Sequence, residues 1–234
     1  MNGDPEIFML NVQIAETISG LIALLIAYAF SVTVAGWFAA WTALRMGDDT
    51  PEQEGFLTLN PMAHIDFLGT FFLLLYRFGW GKFIPMNPFN MHGRFRVIKI
   101  LVAFLSKTFA HCVLGIFALI LLILIFGDKI LSNVVPLAVA YPLASSYTLS
   151  VGLILMSLLF INVILAVITC IANICGLAVM IWVEKHPEYL GYTSLIMLVI
   201  QVLLFYIFGG ILFMLILSLI KKAGYLIASL LHLF

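Results

Sequence analysis

Long stretches of predominantly apolar residues run through most of the chain and are separated by short polar segments. Four such stretches cover residues 18–46, 95–126, 147–183 and 192–220. About 20 apolar residues in helical form are enough to cross a hydrocarbon core roughly 30 Å thick. The pattern therefore predicts an all-α polytopic membrane protein that forms a single integral membrane domain over residues 1–234.

The region 47–94, between the first two long helices, has a different pattern. Residues 47–61 are acidic and polar, and the following apolar piece, 64–76, has only 13 residues. That length is too short for a straight span and favours a re-entrant or interfacial segment. Residues 79–93 are rich in Gly, Pro and Asn and predict an irregular loop. Together with the long stretches, this gives about 4 to 6 membrane segments.

Three further regions follow toward the C-terminus. Residues 147–183 are nearly uncharged but contain polar Asn162, Thr169 and Asn173, which predicts a broken helical region longer than one span. Residues 192–220 predict a last span, and residues 223–234 predict an interfacial tail.

The composition excludes a soluble protein. Hydrophobic residues make up 64% of the chain and charged residues only 9%, with a mean hydropathy of +1.20. Soluble domains carry about a quarter charged residues. Membrane lipids are therefore expected partners, and a nucleic-acid partner is excluded.

Charge is unevenly distributed although the net charge is zero. The first 66 residues contain eight acids and one base, whereas six of the eleven bases lie between Arg77 and Lys107. By the positive-inside rule, the basic region faces the cytoplasm.

Two segments carry recognisable motifs. Residues 43–70 read ALRMGDDTPEQEGFLTLNPMAHIDFLGT, and residues 78–88 read FGWGKFIPMNP. These segments closely resemble the site-2 protease family of intramembrane zinc metalloproteases, in which a helix with HExxH is followed by A-x-R-x-G-D, T-P, L-N-P-x-x-H-I-D-x-x-G-T and F-G-W-x-K-P-V-P-V-N-P. The resemblance implies a site-2-protease-like helical bundle, and the motif residues that this chain retains include Asn60, Pro61, His64, Asp66 and Gly69.

The residues that would perform the family's chemistry are missing. The HExxH motif would fall on residues 35–39, where this chain has Ala35, Gly36 and Ala39 at the ligand and base positions. The family's third ligand is an Asp in an L-D-G motif, and residues 147–183 contain no Asp. Alanine and glycine can neither bind zinc nor deprotonate water. We therefore expect no catalytic residue, no metal site and no cofactor, the zinc having been lost.

The replaced motif has a possible structural role. Small residues recur at helical spacing and allow close approach between membrane helices; they are Ala35, Gly36, Ala39, Ala40 and Ala43. Their partner could be another helix of this chain, which we favour, or another subunit. For His64 and Asp66, we favour a structural hydrogen-bonding role over a new metal site.

The sequence thus predicts a catalytically inactive pseudoprotease that acts as a binding or structural subunit and packs against transmembrane helices of a partner. Two alternatives stay open: an active metalloprotease with unconventional ligands, and an accessory subunit of a larger energy-transducing membrane complex. The expected location is the bacterial inner membrane or an organelle membrane of bacterial descent.

Overall fold

The computed structural model describes residues 5–77, 79–126, 147–192 and 195–200, with a few isolated positions beyond residue 200. The described chain is almost entirely helical. Its elements are α1 (Pro5–Met46), α2 (Thr50–Gln53), α3 (Pro61–His64), α4 (Phe67–Tyr76), α5 (Arg96–Phe126), α6 (Tyr147–Lys185) and a 3-10 helix (Pro187–Tyr192). Residues 195–200 are also helical.

Within the described residues, three helical stretches are long and apolar enough to cross a membrane: Thr17–Met46, Arg96–Phe126 and Val151–Val183. They correspond to three of the predicted apolar stretches, and the fold is that of an all-α membrane protein. Most of the predicted last span, 192–220, and the whole predicted tail, 223–234, lie outside the described residues.

The helices α1, α5 and α6 pack against one another around a shared apolar core. Leu24, Tyr28, Leu122, Leu159 and Leu165 lie in this core and are at most 5% exposed. The outer faces of these helices are also apolar, as expected for a surface that contacts lipid rather than water.

A buried polar contact joins the same three helices. Asn162 on α6 donates from Nδ2 to Ser31 Oγ on α1 (2.8 Å) and to Leu158 O (2.8 Å). Its Oδ1 lies 2.8 Å from Nδ1 of His111 on α5. Because polar groups at membrane depth need partners, this contact fixes which faces of the three helices meet.

Helix α6 does not show the predicted interruption. It is continuous from Tyr147 to Lys185. Two of the three polar side chains that predicted the break bond to the preceding helical turn: Thr169 Oγ1 donates to Leu165 O (2.6 Å), and Asn162 Nδ2 donates to Leu158 O (2.8 Å). At about 1.5 Å per residue, the 39-residue helix is roughly 58 Å long and exceeds the thickness of the hydrocarbon core.

The other boundaries differ less from the predicted ones. Helix α1 begins at Pro5 rather than at residue 18, so its acidic first turns extend the helix beyond the apolar stretch. The predicted apolar piece 64–76 contains the ten-residue helix α4.

The irregular segment 79–90 lies along α1 and holds the region between the long helices in place. Its start is fixed by the Tyr28 hydroxyl, which donates to Trp80 O (2.7 Å), and by Lys82 N, which donates to His64 O (2.8 Å). Ile65 and Gly81 form an isolated antiparallel bridge. A tight contact between Gly69 and the Trp80 backbone would not admit a side chain, since a Cβ at Gly69 would lie 2.9 Å from Trp80 N.

Candidate functional site

The α1 face that corresponds to HExxH is closed off by the chain itself. Ala35 and Ala39, one helical turn apart, are each 0% exposed, as are Ala40 and Ala43. Ala39, Ala40 and Ala43 form a buried cluster with apolar residues from the connection between α4 and α5, from α5 and from α6: Ile84, Met86, Met91, Ala103, Phe104 and Met180. Gly36 lies on the same helix between them. The small-residue stripe therefore faces the interior of this chain.

His64 occupies the space next to Gly36. A Cβ built at Gly36 would overlap His64 Nδ1 and would lie 3.0 Å from the ring atoms Cγ and Cε1. The imidazole thus fills the volume where a side chain at position 36 would begin. Gly36 is required here because of this close approach between α1 and the imidazole of α3.

The His64 ring is held from its other nitrogen. Nε2 lies 2.8 Å from Thr58 O, and the side chain is 1% exposed. Because a carbonyl only accepts, Nε2 carries the proton, and the buried Nδ1 has no hydrogen-bond partner among the described residues. Burial lowers the pKa of His64, with smaller contributions in the same direction from the charges of Lys107 and Lys82, while the Thr58 hydrogen bond opposes the shift. The ring is therefore neutral at pH 7.

A buried lysine projects from α5 toward the same region. Lys107 is 7% exposed, and its Nζ donates to Lys82 O at 2.7 Å. Next to it is a cavity of about 10 Å³, whose polar lining is Lys107, Thr169 and Asn173. The Nδ2 of Asn173 is buried without a hydrogen-bond partner in the described chain. A cavity of this size holds about one water molecule.

The retained motif residues organise the backbone between the long helices. Asn60 caps α3 by accepting from Met62 N (3.1 Å), and Pro61 occupies the first helical position. Asp66 caps α4 by accepting from Gly69 N (2.7 Å). Each of these contacts satisfies a helix N-terminus, which is a structural role.

Asp48, from the A-x-R-x-G-D element, connects the end of α1 to the 79–90 segment. It is 0% exposed. Its carboxylate accepts four hydrogen bonds, from Thr50 Oγ1 (2.6 Å), Thr50 N (3.2 Å), Asn87 N (2.7 Å) and Asn90 Nδ2 (3.0 Å). Charge-assisted bonds of this kind are about twice as strong as neutral ones, so Asp48 is the main polar link between these segments.

Comparison with known proteins gives one partial similarity. The chain is 34% identical over 100 residues to a Bacillus subtilis (strain 168) protein named "Putative zinc metalloprotease YwhC". The match supports a site-2-protease-like relationship. It covers 42% of this chain and 46% of the relative, so the chain spans about half the length of the relative that it matches. No family model matches the chain, and no solved structure matches it.

The described residues at the positions equivalent to HExxH do not fit the zinc ion that this relationship implies. Ala35 and Ala39 offer no donor atom, and the His64 ring fills the space at Gly36. In the part of the chain that the structure describes, no three His, Cys, Asp or Glu side chains come together to hold a metal.

Sequence reasoning missed Lys107 and His111 as members of the buried interior. They are four residues apart on α5 and so lie on one helical face, and both are buried. A helical-face analysis of α5 would have found them, since polar side chains within a membrane helix usually face the bundle interior.

Proposed function

We propose that this chain is a catalytically inactive, site-2-protease-like membrane protein that acts as a binding or structural subunit and packs against transmembrane helices of a partner. The observation that carries the proposal is the Gly36–His64 contact. An active enzyme of this type needs a carboxylate at position 36, and here the imidazole of His64 occupies the space that this side chain would need.

Two further features support the absence of proteolysis. The ligand positions Ala35 and Ala39 are packed against the chain's own residues instead of lining an opening. The cavity near Lys107 is about 10 Å³, which is too small for an extended peptide and a catalytic water together.

The partner surface would lie on the outward apolar faces, not on the small-residue stripe. On α1, a row at four-residue spacing points outward and is about half exposed: Ile18, Ile22, Ile26 and Phe30. Such a row offers van der Waals packing to a neighbouring transmembrane helix. The zoned charge of the chain would then fix its orientation in the membrane relative to that helix.

Cleavage and co-purification test the proposal together. The chain, purified in mild detergent and supplied with zinc, is incubated with a fluorescently labelled single-pass membrane peptide. We expect no cleavage and expect a membrane protein to co-purify at fixed stoichiometry. The active-protease alternative would be established if the peptide is cleaved and if this cleavage is lost both with a chelator and in His64→Ala or Asp66→Ala. Purification as a lone chain would contradict the subunit role.

A further inference from the structure

An apolar groove opens where α5 begins and α6 ends. It has a volume of about 210 Å³ and is closed on one side by the end of the irregular segment. Its main walls are formed by Phe89, Arg96, Val97, Leu101, Leu177 and Ile181. The groove is separate from the His64 region.

The groove is large enough for part of a hydrocarbon chain. Cavities of about 150 Å³ with aliphatic and aromatic walls admit benzene, and this one is larger. Val97 is 69% exposed and Ile181 is 54% exposed, so the groove is accessible from the side that faces lipid.

A positive charge stands at the edge of the groove. Among the described residues that line the groove, Arg96 is the one with a charged side chain, and its guanidinium carbon lies 5.9 Å from the centre of the Phe89 ring. Arg94 lies two residues before it, and both arginines are exposed. Among the described residues, neither arginine forms an ion pair with a carboxylate. The charge at the mouth is thus available for an anion.

The place of the groove in the fold brings these features to the membrane surface. Arg96 is the first residue of a membrane-spanning stretch, and Val97 and Leu101 continue into its apolar part. A phospholipid has the same order along its length, with a phosphate at the surface and acyl carbons below it. Arginine also suits phosphate through bidentate hydrogen bonding.

We infer that this groove binds an anionic phospholipid, with the phosphate on Arg96 and part of one acyl chain between α5 and α6. The inference does not depend on the proposed function. A transmembrane helix of a partner is a poorer occupant, because it would bring an uncharged apolar face to a mouth that carries an unpaired guanidinium.

Native mass spectrometry of the full chain in detergent tests the inference, with equal amounts of dioleoylphosphatidylglycerol and dioleoylphosphatidylcholine as probes. We expect one phosphatidylglycerol to be retained in preference to phosphatidylcholine. Arg96→Gln lowers that preference about fivefold, as for the loss of one basic side chain near a charged surface. The matched control Arg45→Gln, at the end of α1 and outside the groove, leaves the preference unchanged.

A second pair of variants tests the acyl site. Val97→Trp fills the groove and lowers retention of both lipids, whereas Ile98→Trp, one residue away, exposed and outside the groove lining, does not. Equal retention of the two lipids by the wild-type chain would overturn the inference. Equal effects of Arg96→Gln and Arg45→Gln on the lipid preference would also overturn it. The same holds if inorganic phosphate alone displaces the lipid, or if a dimer of the chain forms in place of the lipid complex.

Discussion

The Gly36–His64 contact predicts that the smallest possible side chain at position 36 destabilises the protein. In Gly36→Ala, the new Cβ overlaps Nδ1 of an imidazole that Thr58 holds in place. Overpacking of this kind costs about 1–3 kcal/mol. The change also gains up to about 1 kcal/mol, because alanine favours the helix over glycine.

Gly115→Ala is the matched control. Gly115 is also a buried glycine within a membrane-spanning helix, but a Cβ there would lie 3.6 Å from Asn162 Cβ and from Val163 Cγ2, which is ordinary van der Waals contact. Gly115→Ala therefore keeps the helix gain without the clash. We expect Gly36→Ala to be the less stable of the two variants by about 1–3 kcal/mol.

Reversible unfolding in mixed micelles measures both variants, and a double-mutant cycle isolates the contact. Adding His64→Ala to Gly36→Ala removes the ring, so the two changes are expected to couple by about 0.5–3 kcal/mol. Equal stabilities for Gly36→Ala and Gly115→Ala, or additive effects in the cycle, would refute the reasoning.

Three further predictions concern buried polar groups, each measured by unfolding free energy. Burial lowers the pKa of His64 in the folded state, so the unfolded chain binds a proton more readily. The unfolding free energy is therefore at its full value above about pH 6.5 and falls below that pH. His64→Gln makes this dependence on pH shallower, and an unchanged dependence would contradict the lowered pKa. Asp48→Asn costs about 2–3 kcal/mol because the buried carboxylate accepts four hydrogen bonds. The exposed Asp49→Asn changes stability by no more than about 0.5 kcal/mol, and equal costs for the two variants would contradict the linking role of Asp48. Asn162→Ala costs about 2–3 kcal/mol because it breaks the polar contact among three helices. Asn173→Ala costs less than about 1 kcal/mol, because the Asn173 amide nitrogen has no partner among the described residues; the opposite order of the two costs would contradict this prediction.

The sequence was sufficient to predict the long membrane helices, because a run of apolar residues has few other stable arrangements in lipid. It was less informative where a polar residue interrupts such a run. Asn162 and Thr169 suggested a break in residues 147–183, but each bonds the carbonyl four residues earlier, so α6 continues. The early start of α1 was missed because its first turns are acidic and lie outside the apolar pattern.

The candidate site was predictable as a set of positions but not as a geometry. The motif comparison identified Ala35, Gly36 and Ala39 as replacements. It could not predict that His64, 28 positions after Gly36, places its ring against that glycine, because this contact depends on how α3 docks on α1. The position of the Lys107 ammonium group also depends on tertiary packing, because its hydrogen-bond acceptor, Lys82 O, lies 25 positions earlier in the chain.

The zinc content of the purified chain tests the central claim most directly. The protein is produced in zinc-supplemented medium, purified without chelator and analysed by inductively coupled plasma mass spectrometry, alongside His64→Ala. The account predicts far less than one zinc ion per chain, with no difference between the two proteins. One zinc ion per chain that is lost in His64→Ala would contradict it.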